Sequence, residues 1–254
     1  MARQHGATRL YVEADLKAGV GFALAADRAH YLKSVLRTRA GAELLLFNGR
    51  DGEWRGRLAT LENHAAHVDI RNDAGEQTRK QDPSQSDIWL AFASVKRAAA
   101  ELIVRQATEL GAARLVPVAT ARTQARGSRP ERLSAIAVSA AEQCGRLDIP
   151  VLAKPVTFDQ LLDAWPQDRH LLLADETGGG APLTLSMAAP ITAGVEKWGL
   201  LIGPEGGFAD SELDAARGRA NLSFVDLGPR ILRTDTAAAA GLAVLQSLRI
   251  GARS

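Results

Sequence analysis

The sequence predicts an α/β protein: a mostly parallel sheet flanked by helices, preceded by a small β-barrel-like module. Three observations predict it. From residue 88 onward, apolar strand-like runs alternate with helical segments, the pattern of βαβ units. Before residue 72 the runs are short, strand-like and separated by turn dipeptides. Between them lies a polar stretch, Asn72 to Asp87 (NDAGEQTRKQDPSQSD), with Gly75, Pro83 and no apolar run, which reads as an exposed connection. The expected domains are residues 1–72 and 73–254.

In the first part, LYVEA, ELLLFNG, EWRGRLATL and AAHVDIR are strand candidates, and Asn48-Gly49 and Asp51-Gly52 mark turns. One helix interrupts them around Asp27 to Leu36, with Tyr31, Leu32, Val35 and Leu36 expected on one face. In the second part the expected strands are 88–94, 114–120, 170–176, 197–203 and 222–228. The expected helices are 96–110, ended by Gly111, then 131–146, 210–219 with Asp210 as N-cap, and the closing 236–249. The alanines at 237–240 favour helix.

Length and composition narrow the function classes. A chain of 254 residues is one large domain or two small ones. With 46% apolar and 24% charged residues it is an ordinary globular sequence. Its net charge of +2 neither demands nor excludes nucleic acid. Residues 1–72 carry eleven Lys and Arg against eight Asp and Glu, so the first part is the more basic. Cys144 is the single cysteine, which excludes an intrachain disulfide and a cysteine-based zinc site and suits a reducing cytoplasm. The five histidines have no convincing ligand spacing, so no metal is expected. The first residues hold no apolar signal core, and no window approaches the roughly 20 apolar residues of a membrane span.

Three glycine-rich loops end expected strands: DETGGG (175–180), IGPEGGF (202–208) and LGPRILRTDT (227–236). Ligands of parallel sheets bind at the carboxyl ends of strands, where glycine admits close backbone approach. Three such loops suggest one composite pocket. There is no GxGxxG fingerprint, no GxxxxGK[ST] loop and no GxSxG elbow, which argues against a dehydrogenase, a P-loop ATPase and an α/β-hydrolase.

GPEGGF with an acidic helix start, a strand ending in LG, and RILRTDTA together resemble the knotted SPOUT methyltransferases. More narrowly they are similar to the ribosomal RNA small subunit methyltransferase E family. His30 with VLR (35–37), Lys96, Glu101, ATELG (107–111), EQCGR (142–146) and Pro150 extend the resemblance along nearly the whole chain. It implies a PUA-like RNA-binding barrel followed by a trefoil-knotted SPOUT domain. It also implies a homodimer, S-adenosylmethionine as methyl donor, and N3 of a 16S rRNA uridine in the 30S subunit as acceptor. Two positions depart from the family pattern: 120–130 (TARTQARGSRP) is Arg-rich where a serine-rich pattern is expected, and Cys144 stands where serine is commoner.

Such a reaction requires removal of the N3 proton, stabilisation of the uracil oxyanions and alignment with the methyl group. Arg233 is the expected oxyanion partner, or else a structural anchor for Glu205 or Asp235. Glu205 and Asp235 are the candidate bases, or else loop and helix caps. The expected cofactor-binding residues are Leu173, Gly178, Ile202, Gly203, Pro204, Glu205, Gly206, Gly207, Leu227, Gly228, Ile231, Leu232 and Thr236. For RNA they are His30, Lys33, Arg37 and Arg39 in the barrel, then Lys96, Arg122, Arg126, Arg129 and Arg146. Residues 96–132 hold eight Lys and Arg against three Glu, the most basic segment of the chain. Two rivals stay open: methylation of another RNA target such as a ribose 2′-hydroxyl, and a non-catalytic ribosome-assembly factor.

Overall fold

The structure, a computed structural model, describes residues 7–71, 77–80, 87–123, 129–175, 177 and 179–252. It divides into two compact units, Met1–Pro83 with Ala141–Ile149, and Ser84–Ala140 with Pro150–Ser254.

The first unit is a six-stranded sheet of β1 (Thr8–Tyr11), β2 (Gly21–Leu24), β3 (Glu43–Phe47), β4 (Glu53–Leu61), β5 (Ala66–Asp69) and β6 (Gln77–Arg79). The order is β1-β3-β4-β5-β2, with β6 on β4; only β1 and β3 run parallel. Alternate residues point inward. Leu44, Leu46, Leu58 and Val68 are fully buried and form the core with Leu10, Leu32 and Ile70. The stretch expected to be wholly a connection thus contributes an edge strand.

The expected helix is α1 (Ala26–His30) followed by a π-helical turn, Tyr31–Val35. That wider turn changes which residues face inward. Leu32 stays fully buried, but Val35 and Leu36, expected on the apolar face, are 61% and 39% exposed. The turn ends at Arg37, which has φ +52°, a left-handed conformation more often taken by glycine.

The second unit is one parallel sheet. Its strands are β7 (Ile88–Ala93), β8 (Ala112–Ala119), β9 (Val151–Leu152), β10 (Val156–Thr157), β11 (Arg169–Ala174), β12 (Ala181–Pro182), β13 (Lys197–Ile202) and β14 (Leu222–Asp226). Their order is β10-β8-β7-β13-β11-β14-β12, with β9 on β8. The central strands β7, β11 and β13 are almost wholly buried, as expected of strands covered on both faces. Around them lie α2 (Arg97–Glu109), α3 (Pro130–Cys144), α4 (Phe158–Asp163), α5 (Leu183–Thr192), α6 (Asp210–Ala216) and α7 (Thr234–Ala252). Helix α2 buries Ala100, Ile103, Val104 and Ala107, one helical stripe, and Gly111 at φ +79° follows its end. Helix α7 packs on α2, β13 and β7.

Two arginines brace these units internally. In the second, Arg169 donates to the carbonyls of Asp87 and Trp198, both at 2.9 Å, and to Asp87 Oδ1 at 2.5 Å, and lies 4.2 Å from the Trp89 ring centre. In the first, Arg9 donates to Glu53 Oε2 at 2.7 Å and to the carbonyls of Ala141, Glu142 and Arg146 at 2.7–3.0 Å. Those carbonyls follow from the end of α3, where no intrahelical donor remains. Glu142 accepts from Tyr11 N at 3.0 Å and lies 3.3 Å from Arg28; burial raises its carboxyl above the usual range. Phe47, Ala141 and Leu147 close a small core around this segment.

No helix among the described residues is long and apolar enough to cross a membrane. No group of three His, Cys, Asp or Glu among them could hold a metal ion.

Candidate active site

The strand order β13-β11-β14 places three strand ends side by side. Ala174 pairs with Ile202 on one flank and with Val225 on the other. All three strands are parallel, so the three glycine-rich loops leave the sheet at the same edge.

They enclose a cavity of about 240 Å³. Its walls are the strand ends, Gly203 to Glu205, Leu227 to Leu232, and Thr234 and Ala237 of α7. Thr234 Oγ1, 2% exposed, donates to the Gly203 carbonyl at 3.0 Å and ties two of the loops together. Asp226 Oδ1 accepts from Gly228 N at 2.8 Å, and Asp175 accepts from Thr177 N and Oγ1 at 3.0 and 2.8 Å. Two glycines are fixed by contact. A Cβ on Gly203 would lie 2.9 Å from the Phe208 ring, and one on Gly180 would lie 2.6 Å from the Val225 backbone. The cavity therefore combines apolar walls, backbone groups from three loops and three carboxylates, Asp175, Glu205 and Asp226.

A larger cavity, about 750 Å³, shares Pro204 and Glu205 with the first. Lys96, Arg122, Arg233, Glu205 and Asp235 line it, beside Ala98, Ala99 and Leu102 of α2. Arg122 donates to the Gly206 carbonyl at 2.8 Å. Arg233 and Glu205 are exposed and carry no ion pair among the described residues. Asp235 is half-buried and accepts from Thr236 N at 2.8 Å.

The expected residues distribute unevenly. Ile202, Gly203, Pro204, Glu205, Leu227, Gly228, Ile231 and Leu232 line the smaller cavity. Gly206 lines the larger one instead. Gly207 is buried at φ +69° in the turn closed by its N–H to Pro204 O, and lines neither. Leu173 is fully buried in the core, and Thr236 is exposed outside both cavities. Gly178 and Arg126 lie outside the described residues. Ala174, Val225, Asp226 and Ala237 lie outside the three expected loops, and Asp175, Thr177, Pro229, Arg230 and Thr234 lie within them but were not among the expected cofactor-binding residues. The signal for the two aspartates was present, since each ends or follows a strand beside a glycine loop.

The charges expected to meet RNA also divide. Lys96 and Arg122 open into the larger cavity, and Arg129 is exposed. Arg97 and Arg132, of the same basic segment, both bind Glu101, and this pairing, Arg132 foremost, draws the carboxyl down to about 2. Arg146 is turned inward: it binds Asp148 at 2.7 and 3.0 Å with its side chain 8% exposed. In the first unit Lys33, Arg37 and Arg39 are exposed, and His30 stacks on His64 with ring centres 5.9 Å apart.

Residues 82–246 match the RNA methyltransferase domain family, and residues 24–71 match the RNA methyltransferase PUA domain. The chain is 30% identical to ribosomal RNA small subunit methyltransferase E of Rickettsia conorii, covering 94% of this chain and 95% of that protein. It is 34% identical to the enzyme of the same name from Synechocystis, over 89% and 72%. The crystal structure of that methyltransferase from Neisseria gonorrhoeae, bound to S-adenosyl methionine, superposes with TM-score 0.82 at 28% identity, over 96% and 98% of the two chains. By this likeness along its whole length, the chain belongs to the ribosomal RNA small subunit methyltransferase E family.

Proposed function

We propose that this chain methylates N3 of a uridine in 16S rRNA, using S-adenosylmethionine. The observation that carries it is the pair of abutting cavities, one loop-lined with apolar walls and carboxylates, the other lined by Lys96, Arg122 and Arg233, with Pro204 and Glu205 in both. The smaller fits the cofactor: Ile202, Leu227 and Leu232 supply apolar walls for a purine, and Asp175 and Asp226 supply acceptors for ribose hydroxyls. When bound, S-adenosylmethionine supplies an electrophilic methyl group on a sulfonium centre.

The chain's own residues prepare the acceptor. Arg233 donates to a uracil carbonyl oxygen and holds the negative charge that develops as N3 loses its proton. Glu205 or Asp235 takes that proton on a carboxylate oxygen. Lys96 and Arg122 hold the flanking phosphates, and Arg122 also fixes the Gly206 carbonyl. His30, Lys33, Arg37 and Arg39 of the first unit bind rRNA outside the site.

We further assign a homodimer, a trefoil knot, a cytoplasmic location and the 30S subunit as substrate. Two features support the first two. Val244, a large apolar residue of α7, is 36% exposed, and α7 packs on α2. The chain also crosses from β13 past β11 to β14, then returns through α7 onto β13 and β7.

Methyl transfer from radiolabelled S-adenosylmethionine to 30S subunits lacking native modification tests the function, with the labelled nucleoside identified by mass spectrometry. N3-methyluridine in 16S rRNA is expected; label on a ribose oxygen or another base would discard this acceptor. Cofactor binding is tested separately. Thr234→Val keeps the side-chain shape but leaves the Gly203 carbonyl unpaired, a cost of about 1–3 kcal/mol. The affinity for S-adenosylmethionine by calorimetry is expected to fall about tenfold, corresponding to 1.4 kcal/mol. Unchanged affinity would show that this tie does not shape the pocket.

A further inference from the structure

Four arginines of the barrel, Arg9, Arg28, Arg50 and Arg79, each meet a carboxylate. Arg55 and Arg57 are different. Neither makes an ion pair or side-chain hydrogen bond among the described residues. Gly56 and Leu58 face the core; a Cβ on Gly56 would lie 2.5 Å from Leu46. The alternation of the strand therefore sets Arg55 and Arg57 on the outer face of β4. Arg57 is cross-strand neighbour to Glu43 on β3 and to Asp69 on β5, yet pairs with neither.

With Arg71, just past β5, these two arginines line a pocket of about 260 Å³ whose remaining walls are Gly41, Glu43 and Gly56. Three arginines and one glutamate line it, a cationic excess that suits a phosphate, because a guanidinium fork meets phosphate oxygens through two parallel hydrogen bonds. The approach to the pocket is also cationic. The loop that reaches it at Gly41 carries exposed Arg39 and Arg37, the latter in its left-handed conformation. A run of cations leading into a pocket suits a chain of phosphates better than a single ion.

We propose that Arg55 and Arg57, in the pocket that they line with Arg71, hold phosphates of the RNA backbone on the outer face of the barrel. The pocket fixes the register of the RNA on the first unit without reading its sequence. This rests on the proposed action on rRNA.

The test is binding of the full chain to a 16S rRNA transcript at 50 to 200 mM salt, comparing wild type with Arg55→Ala/Arg57→Ala and Arg55→Lys/Arg57→Lys. The alanine pair is expected to bind about tenfold more weakly and to flatten the salt slope by about 1–2, from the lost phosphate contacts. Its melting temperature and its turnover at saturating RNA are expected to match wild type. The lysine pair keeps the charge and is expected to keep the slope; a slope as flat as that of the alanine pair would overturn the phosphate assignment. Wild-type binding with an unaffected alanine pair would overturn the pocket and leave the rRNA reading standing. No RNA binding by wild type would overturn that reading itself. Inorganic phosphate bound at Arg55 and Arg57, with RNA affinity insensitive to their loss, would make this a free-anion site and overturn the RNA assignment.

Discussion

Replacing Arg233 with alanine is expected to lower kcat for methyl transfer by about 10² to 10³, the usual loss when one donor to a developing oxyanion is removed. The side chain is exposed in the larger cavity and carries no ion pair among the described residues, so its guanidinium is available to a bound uracil. For the same reason its removal leaves no buried partner unpaired, and thermal melting should be unchanged. Affinity for S-adenosylmethionine should also be unchanged, because Arg233 does not line the smaller cavity. Steady-state methylation with calorimetry on the same preparation separates these effects. Wild-type turnover would remove Arg233 from the mechanism; lost cofactor affinity would make it part of the cofactor site instead.

Arg169→Ala is expected to cost about 3 kcal/mol of stability, from loss of a largely buried charge and its partners. Its side chain is 5% exposed, and its loss strands two carbonyls, the Asp87 carboxylate and the face of Trp89. For a chain of this size that corresponds to roughly 6–12 °C in melting temperature. Arg169 Nε is buried without a partner among the described residues, so the arginine itself carries an uncompensated cost. Arg169→Met, which keeps the stem over Trp89 and removes that orphan, should lose less than the alanine variant. Equal melting of wild type and Arg169→Ala would show that this brace adds no stability.

The parallel sheet was legible because its central strands are buried on both faces and so read as unbroken apolar runs, IWLAFA and HLLLA among them. Loops were legible through glycine. Residues within the loops were less so, because neighbours in sequence face different ways. Thr234 and Ala237, three apart at the start of α7, share one helical face and line the smaller cavity. Asp235 between them turns to the larger cavity, and Thr236 turns to solvent. Gly206 and Gly207 part in the same way, one lining a cavity and one buried in a tight turn. Charge was the least legible property. Arg146 and Arg122 look alike in sequence, but a carboxylate two residues away holds Arg146 inward. Helix α5 was missed because Pro190 lies inside it, and β6 because three polar residues at a sheet edge show no periodicity.

The barrel is completed by a piece of chain that begins 62 residues after its own last strand, Ala141 against Arg79. Residues 141–149 supply the carbonyls that Arg9 binds and the apolar cover over Phe47. During translation the barrel therefore stays unfinished until α3 has been made, with Phe47 uncovered in the interval. An excised fragment ending at residue 83 would keep that exposed apolar surface permanently. Transplanting the barrel onto another protein thus requires carrying the 141–149 segment with it, as a second insertion.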